Sequence, residues 1–466
     1  MFRPTNLLTI PGFAVGWRSN LRIPLLASSK AIALALVLLN GGAAYGQSAT
    51  VDSVSSIDDL QSYGGRATVL IVKSYHPGSR NGGGTFILDQ ENQSSSDNCT
   101  VFPAKVGRWV RQTASPLDVA MCGAHWDGAH DDAPAISNAI NVARKIRTSV
   151  ALPGGVGKVC SSVRSAPGVI IRGQGMGTAG AIAESPTLID GSCMKSGWVF
   201  DLVNPKGTEQ VEAPKYYDMS IRIAENNAPG GCIRWNAVSG GFTDDPTSQG
   251  YMLHPHAERV YCELGNNVGN QQVGFECSKC FDGDLSQNNV MFGKTSISLE
   301  GSDVMCIGCA GPNRVQGSSD SLIRLVAHGT FGNMDRVVGN EILYPNSRGQ
   351  RYDAYIFDGA RSATIESNHI EGVTVGAQSA VHVAGGFSHA IANNDINVLV
   401  GNGASVPHWL VADGPFVNFR ATNNGCGGCI LGPTLFTNRA KQYNNGGVPQ
   451  IITHDGNAGS GDSGFP

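Results

Sequence analysis

A strand-ending glycine that recurs every 26 to 30 residues constrains the fold of this chain more than any other feature. The runs ISLEG, RLVAHG, AYIFDG, VHVAG and WLVADG end on Gly301, Gly329, Gly359, Gly385 and Gly414. An asparagine follows the last four of these glycines after 9 to 11 residues: Asn340, Asn368, Asn394 and Asn423. The period is too short for a propeller blade, which takes about 40 residues. It predicts one coil of a parallel β-helix, with asparagines laddered at a bend.

The composition agrees with a fold of short strands and many turns. Glycine accounts for 61 of the 466 residues, and charged residues for only 15%. A typical domain has about 7% glycine and about 25% charged residues. Because glycine is a residue of tight turns, we expect an all-β chain rather than a helical bundle.

Residues 1–46 have the pattern of a secretory signal peptide. Basic residues precede the apolar run AIALALVLLN at 31–40, and Ala44 and Gly46 precede Gln47. This order predicts export with cleavage before Gln47. The apolar run is too short to span a bilayer, so no stable membrane insertion is expected after cleavage; an uncleaved anchor is the alternative. The expected location is secreted, periplasmic or at the cell surface of a bacterium.

Charge and cysteine content narrow the expected partners. The formal net charge is −4, and residues 1–46 contain basic but no acidic residues, so the remainder is more acidic still. Nucleic-acid binding needs clustered Lys and Arg, so no nucleic-acid partner is expected. Twelve cysteines in an exported chain predict disulfides. We interpret the Cys-x-x-Cys pairs 277/280, 306/309 and 426/429 as stapled turns, with a zinc site as the alternative.

The chain divides into four segments. After the signal peptide, residues 47–115 form a small β-rich N-terminal module, residues 116–445 the parallel β-helix, and residues 446–466 a disordered tail. Apolar residues at Ile136, Ala139, Ile140, Ala143 and Ile146 predict one amphipathic helix near the start of the third segment.

The stretch GAHWDGAHDDAPAISNAI at 123–140, followed by VALPGG, resembles the opening segment of the pectate lyase superfamily. The resemblance is to its polygalacturonase-like, phage-tailspike-like and exopolysaccharide-associated members. It departs from their pattern at Cys122, His125 and Trp126. The resemblance implies a right-handed, single-stranded parallel β-helix whose first coil is covered by a capping helix.

Three aspartates stand in this opening segment, Asp127, Asp131 and Asp132. The resemblance implies that they shape the turn before the capping helix, and an aspartate at a helix N-terminus also satisfies free N–H groups. A calcium site formed by the three carboxylates is the alternative. No other metal or cofactor is expected.

Outward-facing residues near the ends of the repeated strands predict a catalytic row. If Leu299, Ala327 and Phe357 point inward, alternation turns the next residues outward: Glu300, His328 and Asp358, with Asp413 further along as a substrate-binding residue. Carboxylates two coils apart would lie about 9 to 10 Å from each other. Inverting glycosidases hold their acid and base about 6.5–9.5 Å apart, so the row predicts a hydrolase.

Two further groups are candidates. Asp282 and Asp284 in CFDGDLSQNN resemble, with an inserted glycine, the paired aspartates of polygalacturonases, and an acidic turn or calcium loop is the alternative. His369 and Glu371 in SNHIEG share one face of a strand and are candidate substrate-binding residues. A lyase would instead need a base and a cation beside a uronate carboxylate, and the arginines of these coils are Arg324, Arg336, Arg348, Arg351 and Arg361.

These patterns and the resemblance together predict an exported, polysaccharide-active enzyme that cleaves a bacterial or plant polysaccharide as a hydrolase or a lyase. The alternative is a non-catalytic protein that binds carbohydrate, serves exopolysaccharide export or acts as a tailspike-like adhesin. The resemblance leaves both a monomer and a homotrimer open.

Overall fold

A computed structural model describes residues 50–436, apart from 114, 179, 205–208, 227, 239–249, 268, 319, 329–331, 333, 344–351, 359–361, 372–376, 385, 388, 398–407, 413–415, 418–419, 423 and 428–433. From residue 117 onward, short parallel strands wind into successive coils, and each coil contributes strands to three sheets, here called A, B and C. The predicted right-handed parallel β-helix is confirmed.

Sheet A has ten strands, and each pairs with the sheet A strand of the next coil. Its strands are Val163–Arg164, Gly197–Val203, Gly230–Asn236, Gln272–Ser278, Thr295–Glu300, Ser321–Val326, Tyr352–Asp358, Ala377–Ala384, His408–Ala412 and Thr434–Phe436.

Sheets B and C are joined into one sheet of 19 strands, because two long strands, Lys215–Ile223 and His256–Glu263, run through both. The other strands of sheet B are Leu117–Asp118, Val150–Ala151, Ile170–Arg172, Asp284–Ser286, Cys306–Ile307, Arg336–Val338, Thr364–Glu366, Ala390–Ala392 and Arg420–Thr422. The other strands of sheet C are Gly155–Lys158, Thr187–Gly191, Asn289–Met291, Arg314–Gln316, Glu341–Leu343, His369–Glu371, Asp395–Asn397 and Gly425–Gly427.

Short additional strands pair outside the three sheets. Val211–Glu212, Met252–Leu253 and Cys280–Phe281 form a three-stranded sheet, and Gly386–Phe387 pairs with Phe416–Val417.

The core consists of apolar columns that run from coil to coil. Most three-residue strands carry one apolar residue between two outward residues, so that strands such as TIE and HIE bury only their centre. The register stacks these centres. Sheet B contributes a buried column of Leu285, Ile307, Val337, Ile365 and Ile391. Close packing of like side chains along each column fixes the register of the outward residues.

A ladder of buried asparagines lines the corner between sheets B and C. Its members are Asn288, Asn313, Asn340, Asn368, Asn394 and Asn424. In each coil the backbone N–H and the side-chain Nδ2 donate to the Oδ1 of the next asparagine, at 2.8–3.1 Å. Each Nδ2 also donates to a backbone carbonyl of the preceding coil. The ladder predicted from Asn340, Asn368 and Asn394 is confirmed, but Asn424 rather than Asn423 continues it.

The N-terminal module is a five-stranded sheet with one short helix, α1 (Ile57–Gln61). Its strands are Val51–Val54, Val69–Ser74, Gly82–Asp89, Val101–Pro103 and Arg108–Arg111. A separate apolar cluster that includes Leu70, Phe86, Phe102 and Trp109 forms its core.

Helix α2 (Ala133–Ile146) packs near the start of the solenoid against the sheet B strands Leu117–Asp118 and Val150–Ala151 and the sheet A strand Val163–Arg164. Ile136, Ala139, Ile140 and Ala143 are buried as the spacing predicts, whereas Ile146 is exposed because it ends the helix. The short 3-10 helices Val119–Cys122 and Ile182–Glu184 complete the helical content of the described residues.

The three aspartates before α2 bind backbone N–H groups. The donors are Ala129 and His130 for Asp127, Ala133 and Cys160 for Asp131, and His125 and Trp126 for Asp132. These bonds hold the pKa of Asp127 well below its usual range. These hydrogen bonds fix the turn that leads into α2.

Five disulfides cross-link the described chain: Cys99–Cys122, Cys160–Cys193, Cys232–Cys262, Cys277–Cys280 and Cys306–Cys309. The first two expected Cys-x-x-Cys staples are therefore disulfides, not zinc ligands, and the 426/429 pair includes a residue outside the described part. No helix among the described residues is long and apolar enough to cross a membrane.

We expect Asn288→Ala to lower the free energy of unfolding by about 3 kcal/mol, because it leaves buried N–H and carbonyl groups without partners. Asn289→Ala is the matched control, since Val290 points inward and Asn289 therefore faces outward on the same strand. It should change stability by less than about 0.5 kcal/mol. Urea unfolding followed by circular dichroism measures both, and equal effects would contradict a stabilising ladder.

Candidate functional site

The residues predicted to be functional lie on three different sheets, so they do not form one site. Glu300 and the backbone of Asp358 belong to sheet A, Asp284 to sheet B, and His369 with Glu371 to sheet C. Asp413 lies outside the described residues.

On sheet A the register places Glu300, Val326 and Asp358 on three successive coils. His328 lies two residues beyond Val326, so the expectation that it stands in this row is wrong. The strand Ser321–Val326 ends before the glycine of RLVAHG, and Leu325 rather than Ala327 pairs with Leu299. Glu300 faces outward and half-exposed beside the buried Leu299, and only the backbone of Asp358 is described.

A second glutamate, Glu276, lies next to Glu300 on the same outer face. Glu276 pairs with Ser298 of the next coil, and Ser298 precedes Glu300 by two residues. With coils about 4.8 Å apart and about 3.3 Å per residue, the two glutamate Cα atoms lie roughly 8 Å apart. This is the diagonal spacing of two outward residues on adjacent coils, and it allows long side chains to approach each other.

The environment of Glu276 favours its protonated form. Burial raises the pKa of the Glu276 carboxyl, the charges of Glu300 and Asp201 raise it further, and Arg234 opposes them. Arg234 is engaged elsewhere, since its Nε and Nη2 donate to the two oxygens of Asp201 at 2.9 and 2.8 Å. Within the described part of the chain Glu276 has no ion pair of its own. The face thus combines one carboxyl biased toward the acid form with a second carboxyl beside it.

Glu276 was missed by the sequence analysis because the repeat was aligned on strand-ending glycines. The strand QVGFECS ends on Ser278 and is followed by Lys279 instead of a glycine, so it fell outside that alignment. Inward and outward residues alternate around Cys277, which pairs with the buried Leu299, and this alternation places the preceding Glu276 on the outer face.

Sheet B carries a second candidate, a groove of about 350 Å³. One row of its lining consists of residues at the same register on five successive coils: Lys215, His256, Asp284, Cys306 and Arg336. Asp282 lines the same groove, so this pair of predicted residues is brought together. His254, His256 and Lys215 were not predicted, whereas Arg336 is one of the arginines named for the lyase alternative.

The surroundings of His256 favour the neutral form of its imidazole. Burial lowers the pKa of His256, Asp284 opposes this effect, and Lys215 and Arg259 add to it. The Nε2 atom lies 3.3 Å from Oε2 of Glu258. Since a carboxylate only accepts hydrogen bonds, we assign the proton to Nε2 and the lone pair to Nδ1.

Tyr217 stands beside this histidine, with the two ring centroids 5.0 Å apart. Burial raises the pKa of Tyr217, which keeps the phenol protonated. Arg172 makes a cation–π contact with Tyr217, because its guanidinium carbon lies over the tyrosine ring, 4.7 Å from the ring centroid. His256 can accept a proton and the Tyr217 hydroxyl can donate one, and both residues line the groove.

The opposite wall of the groove is shaped by the corner before sheet B. His254 and Asp282 both have positive φ there, of 51° and 53°. Val304, Met334 and Ser362 occupy the same corner position in later coils with φ of 54–58°. Left-handed backbone at this corner is therefore a property of the coil geometry and not a mark of function.

Polar contacts hold His254 and Asp284 in place. The Nδ1 of His254 lies 2.9 Å from Oε2 of Glu212, and its Nε2 lies 3.6 Å from Oδ2 of Asp282. Ser286 donates a hydrogen bond to Asp284. Polar side chains with this many partners also fit a structural network.

On sheet C, His369 and Glu371 flank the buried Ile370 and face outward, as predicted from SNHIEG. The Nε2 of His369 is 3.7 Å from Glu371, and its Nδ1 is 3.0 Å from Oδ2 of Asp395. The turns between sheets B and C span only two residues, such as 287–288 and 367–368. Turns this short build no walls, so this face offers little to enclose a ligand.

Comparisons with known proteins agree with the fold. The family model for a small four-stranded β-sheet domain of phage tail proteins matches residues 53–114. No curated protein sequence matches the chain.

Solved structures match the β-helix over most of this chain. Tailspike protein 2 of an Escherichia coli O157:H7 bacteriophage has a TM-score of 0.60 at 14% identity, covering 86% of this chain and 50% of its own. The enzymatically active domain of bacteriophage CBA120 tailspike protein 2 has the same score and identity, covering 86% of this chain and 56% of its own.

WceF of Pantoea stewartii, a glycan biofilm modifying enzyme, has a TM-score of 0.51 at 14% identity, covering 84% of this chain and 50% of its own. The chain thus spans about half the length of the solved proteins it resembles. Identity at this level concerns the fold. This chain is a right-handed parallel β-helix protein with a tailspike-like fold.

Proposed function

We propose that the protein is an exported glycoside hydrolase that cleaves a polysaccharide bound along the outer face of sheet A, with Glu276 and Glu300 as its acid and base. The observation that carries the proposal is the bias of Glu276 toward its protonated form, next to a second carboxyl on the adjacent coil. Pairs of carboxyl groups whose environments separate their pKa values are the usual acid and base of glycosidases.

In the proposed reaction Glu276 gives its proton to the glycosidic oxygen as the bond from that oxygen to the anomeric carbon breaks. A water molecule adds to the anomeric carbon and passes its proton to the Glu300 carboxylate. The roughly 8 Å between the two Cα atoms is compatible with the carboxyl separation of about 6.5–9.5 Å in inverting enzymes. The reaction needs no cofactor.

Two further facts support an exported, glycan-directed role. Disulfides such as Cys232–Cys262 persist in oxidising compartments. The structural neighbours include a tailspike domain named as enzymatically active and an enzyme named for modifying a glycan biofilm.

A second candidate reaction is favoured by the sheet B groove, where a neutral His256 lies in one row with Lys215 and Arg336. Cations would neutralise the carboxylate of a uronic acid and acidify the neighbouring C5 proton. Nδ1 of His256 would take that proton, the bond from C4 to the glycosidic oxygen would break, and Tyr217 would protonate the leaving oxygen. The product is an unsaturated uronate, which absorbs ultraviolet light.

The first test incubates the chain from Gln47 onward with a panel of acidic and neutral polysaccharides. New reducing ends without ultraviolet absorbance are expected from hydrolysis. Glu276→Gln and Glu300→Gln should each reduce turnover by about 10²–10⁴-fold, the usual contribution of a general acid or base. His369→Gln, on sheet C, is the control and should keep full turnover.

The second test separates the two faces. We expect His256→Gln to keep the rate of hydrolysis within about twofold of the wild-type rate, since His256 lies on sheet B and away from the glutamate pair. Absorbance from unsaturated uronates that is lost in His256→Gln but kept in Glu276→Gln would instead assign elimination to the groove. Binding to a polymer with neither product would replace the enzyme with a carbohydrate-binding or adhesin role.

A third test measures the ionisation of Glu276 directly. We expect the 13C chemical shift of its carboxyl to titrate above the ordinary glutamate value of about 4.3. In Glu300→Gln the midpoint should move to lower pH, because the neighbouring negative charge that raises the pKa of Glu276 has been removed. Ser278→Ala, two residues along the same strand, is the uncharged control, and a midpoint equal in all three proteins would contradict the coupling.

A further inference from the structure

Three histidines stack where the N-terminal module meets the turn before α2. The ring centroids of His76 and His125 are 3.7 Å apart, and those of His125 and His130 are 4.0 Å apart, with the planes within 16° of parallel. His76 comes from the loop after the strand Val69–Ser74, whereas the other two belong to the turn that resembles the superfamily's opening segment. The two histidines of the turn include His125, a position where this chain departs from that pattern.

A carboxylate completes the group. Oδ2 of Asp127 lies 2.7 Å from Nδ1 of His130, and Oδ1 of Asp127 accepts the backbone N–H groups of Ala129 and His130. Ligand atoms of His125, Asp127 and His130 all lie within 4.8 Å of one another. Two histidines and one carboxylate are a donor set that divalent zinc accepts, with water in a fourth position.

The geometry points to a divalent transition-metal site formed by His125, Asp127 and His130, with zinc as the metal that its donors fit best. At about 2.0–2.1 Å per bond in a tetrahedral site, two donors on one zinc ion lie about 3.4 Å apart. The present ligand atoms all lie within 4.8 Å of one another, so no pair needs to approach by more than about 1.4 Å. His130 and Asp127 can supply the movement, since their side chains are 60% and 42% exposed.

The surroundings support this assignment. The Nε2 atom of His76 lies 2.8 Å from the carbonyl oxygen of Gly123, which holds the His76 ring against the face of His125. His76 acts here as a positioning residue. The imidazole donors also distinguish this site from a calcium site, whose ligands are oxygen atoms.

A bound metal would hold the turn before α2, on which His76 of the N-terminal module stacks. His125 and His130 flank the turn before α2, and His76 belongs to the N-terminal module that packs on this turn. Because a metal that binds only the folded chain stabilises it, zinc should raise the unfolding midpoint. This inference is independent of the reaction proposed for sheet A.

The test is a calorimetric titration of Zn²⁺ into the chain from Gln47 onward, prepared without a polyhistidine tag and treated with EDTA. We expect one Zn²⁺ per chain, no binding of Ca²⁺ at this site, and a higher unfolding midpoint in zinc. His125→Gln and His130→Gln should each weaken zinc binding by at least about tenfold. His130→Gln is the safer variant, because its exposed side chain contributes no core packing.

His369→Gln is the matched control, since His369 also lies between carboxylates, those of Asp395 and Glu371. It should bind zinc as the wild type does. Absence of zinc binding in the wild type, or wild-type affinity in both His125→Gln and His130→Gln, would overturn the site. Cobalt provides a second measurement on the unmodified chain: visible absorption bands of a site with nitrogen and oxygen ligands are expected, and their absence would also overturn it.

Discussion

Hydrogen bonding between successive coils is the constraint on which the rest of this structure depends. Parallel pairing links every strand of sheets A, B and C to its counterpart one coil away. The buried asparagine ladder adds side-chain bonds in the same direction at the corner between sheets B and C. Because backbone groups buried in the solenoid need partners, a coil cannot shift its register without breaking several bonds at once.

A fixed register turns sequence positions into rows on the surface. On sheet A it brings Glu276 diagonally next to Glu300, although 24 residues of chain separate them. On sheet B it aligns Lys215, His256 and Asp284 on successive coils. No single coil contains either arrangement. Solenoids obtain their functional surfaces in this way, by combining one residue from each repeat.

Part of the fold and of the candidate site could be predicted from the sequence. The repeat period, the asparagines at the bend, the helix after Asp132 and the outward position of Glu300 all follow from local alternation and turn chemistry. The row through His328 could not be placed correctly, because the loops between strands vary in length and the strand-ending glycine does not keep a constant register. Glu276 was missed for the same reason, since its strand ends without the glycine.

The sequence by itself determined that the chain winds into a β-helix opened by an amphipathic helix, because apolar alternation, bend residues and helical periodicity act over short distances. Only the tertiary structure decided which outward residues meet. Side chains from different coils become neighbours through the register of the sheets, and that register is set by the packing of whole columns such as Leu285 and Ile307. The stacked His76 and His125 show the same dependence, since 48 residues lie between their positions and only folding brings the two rings together.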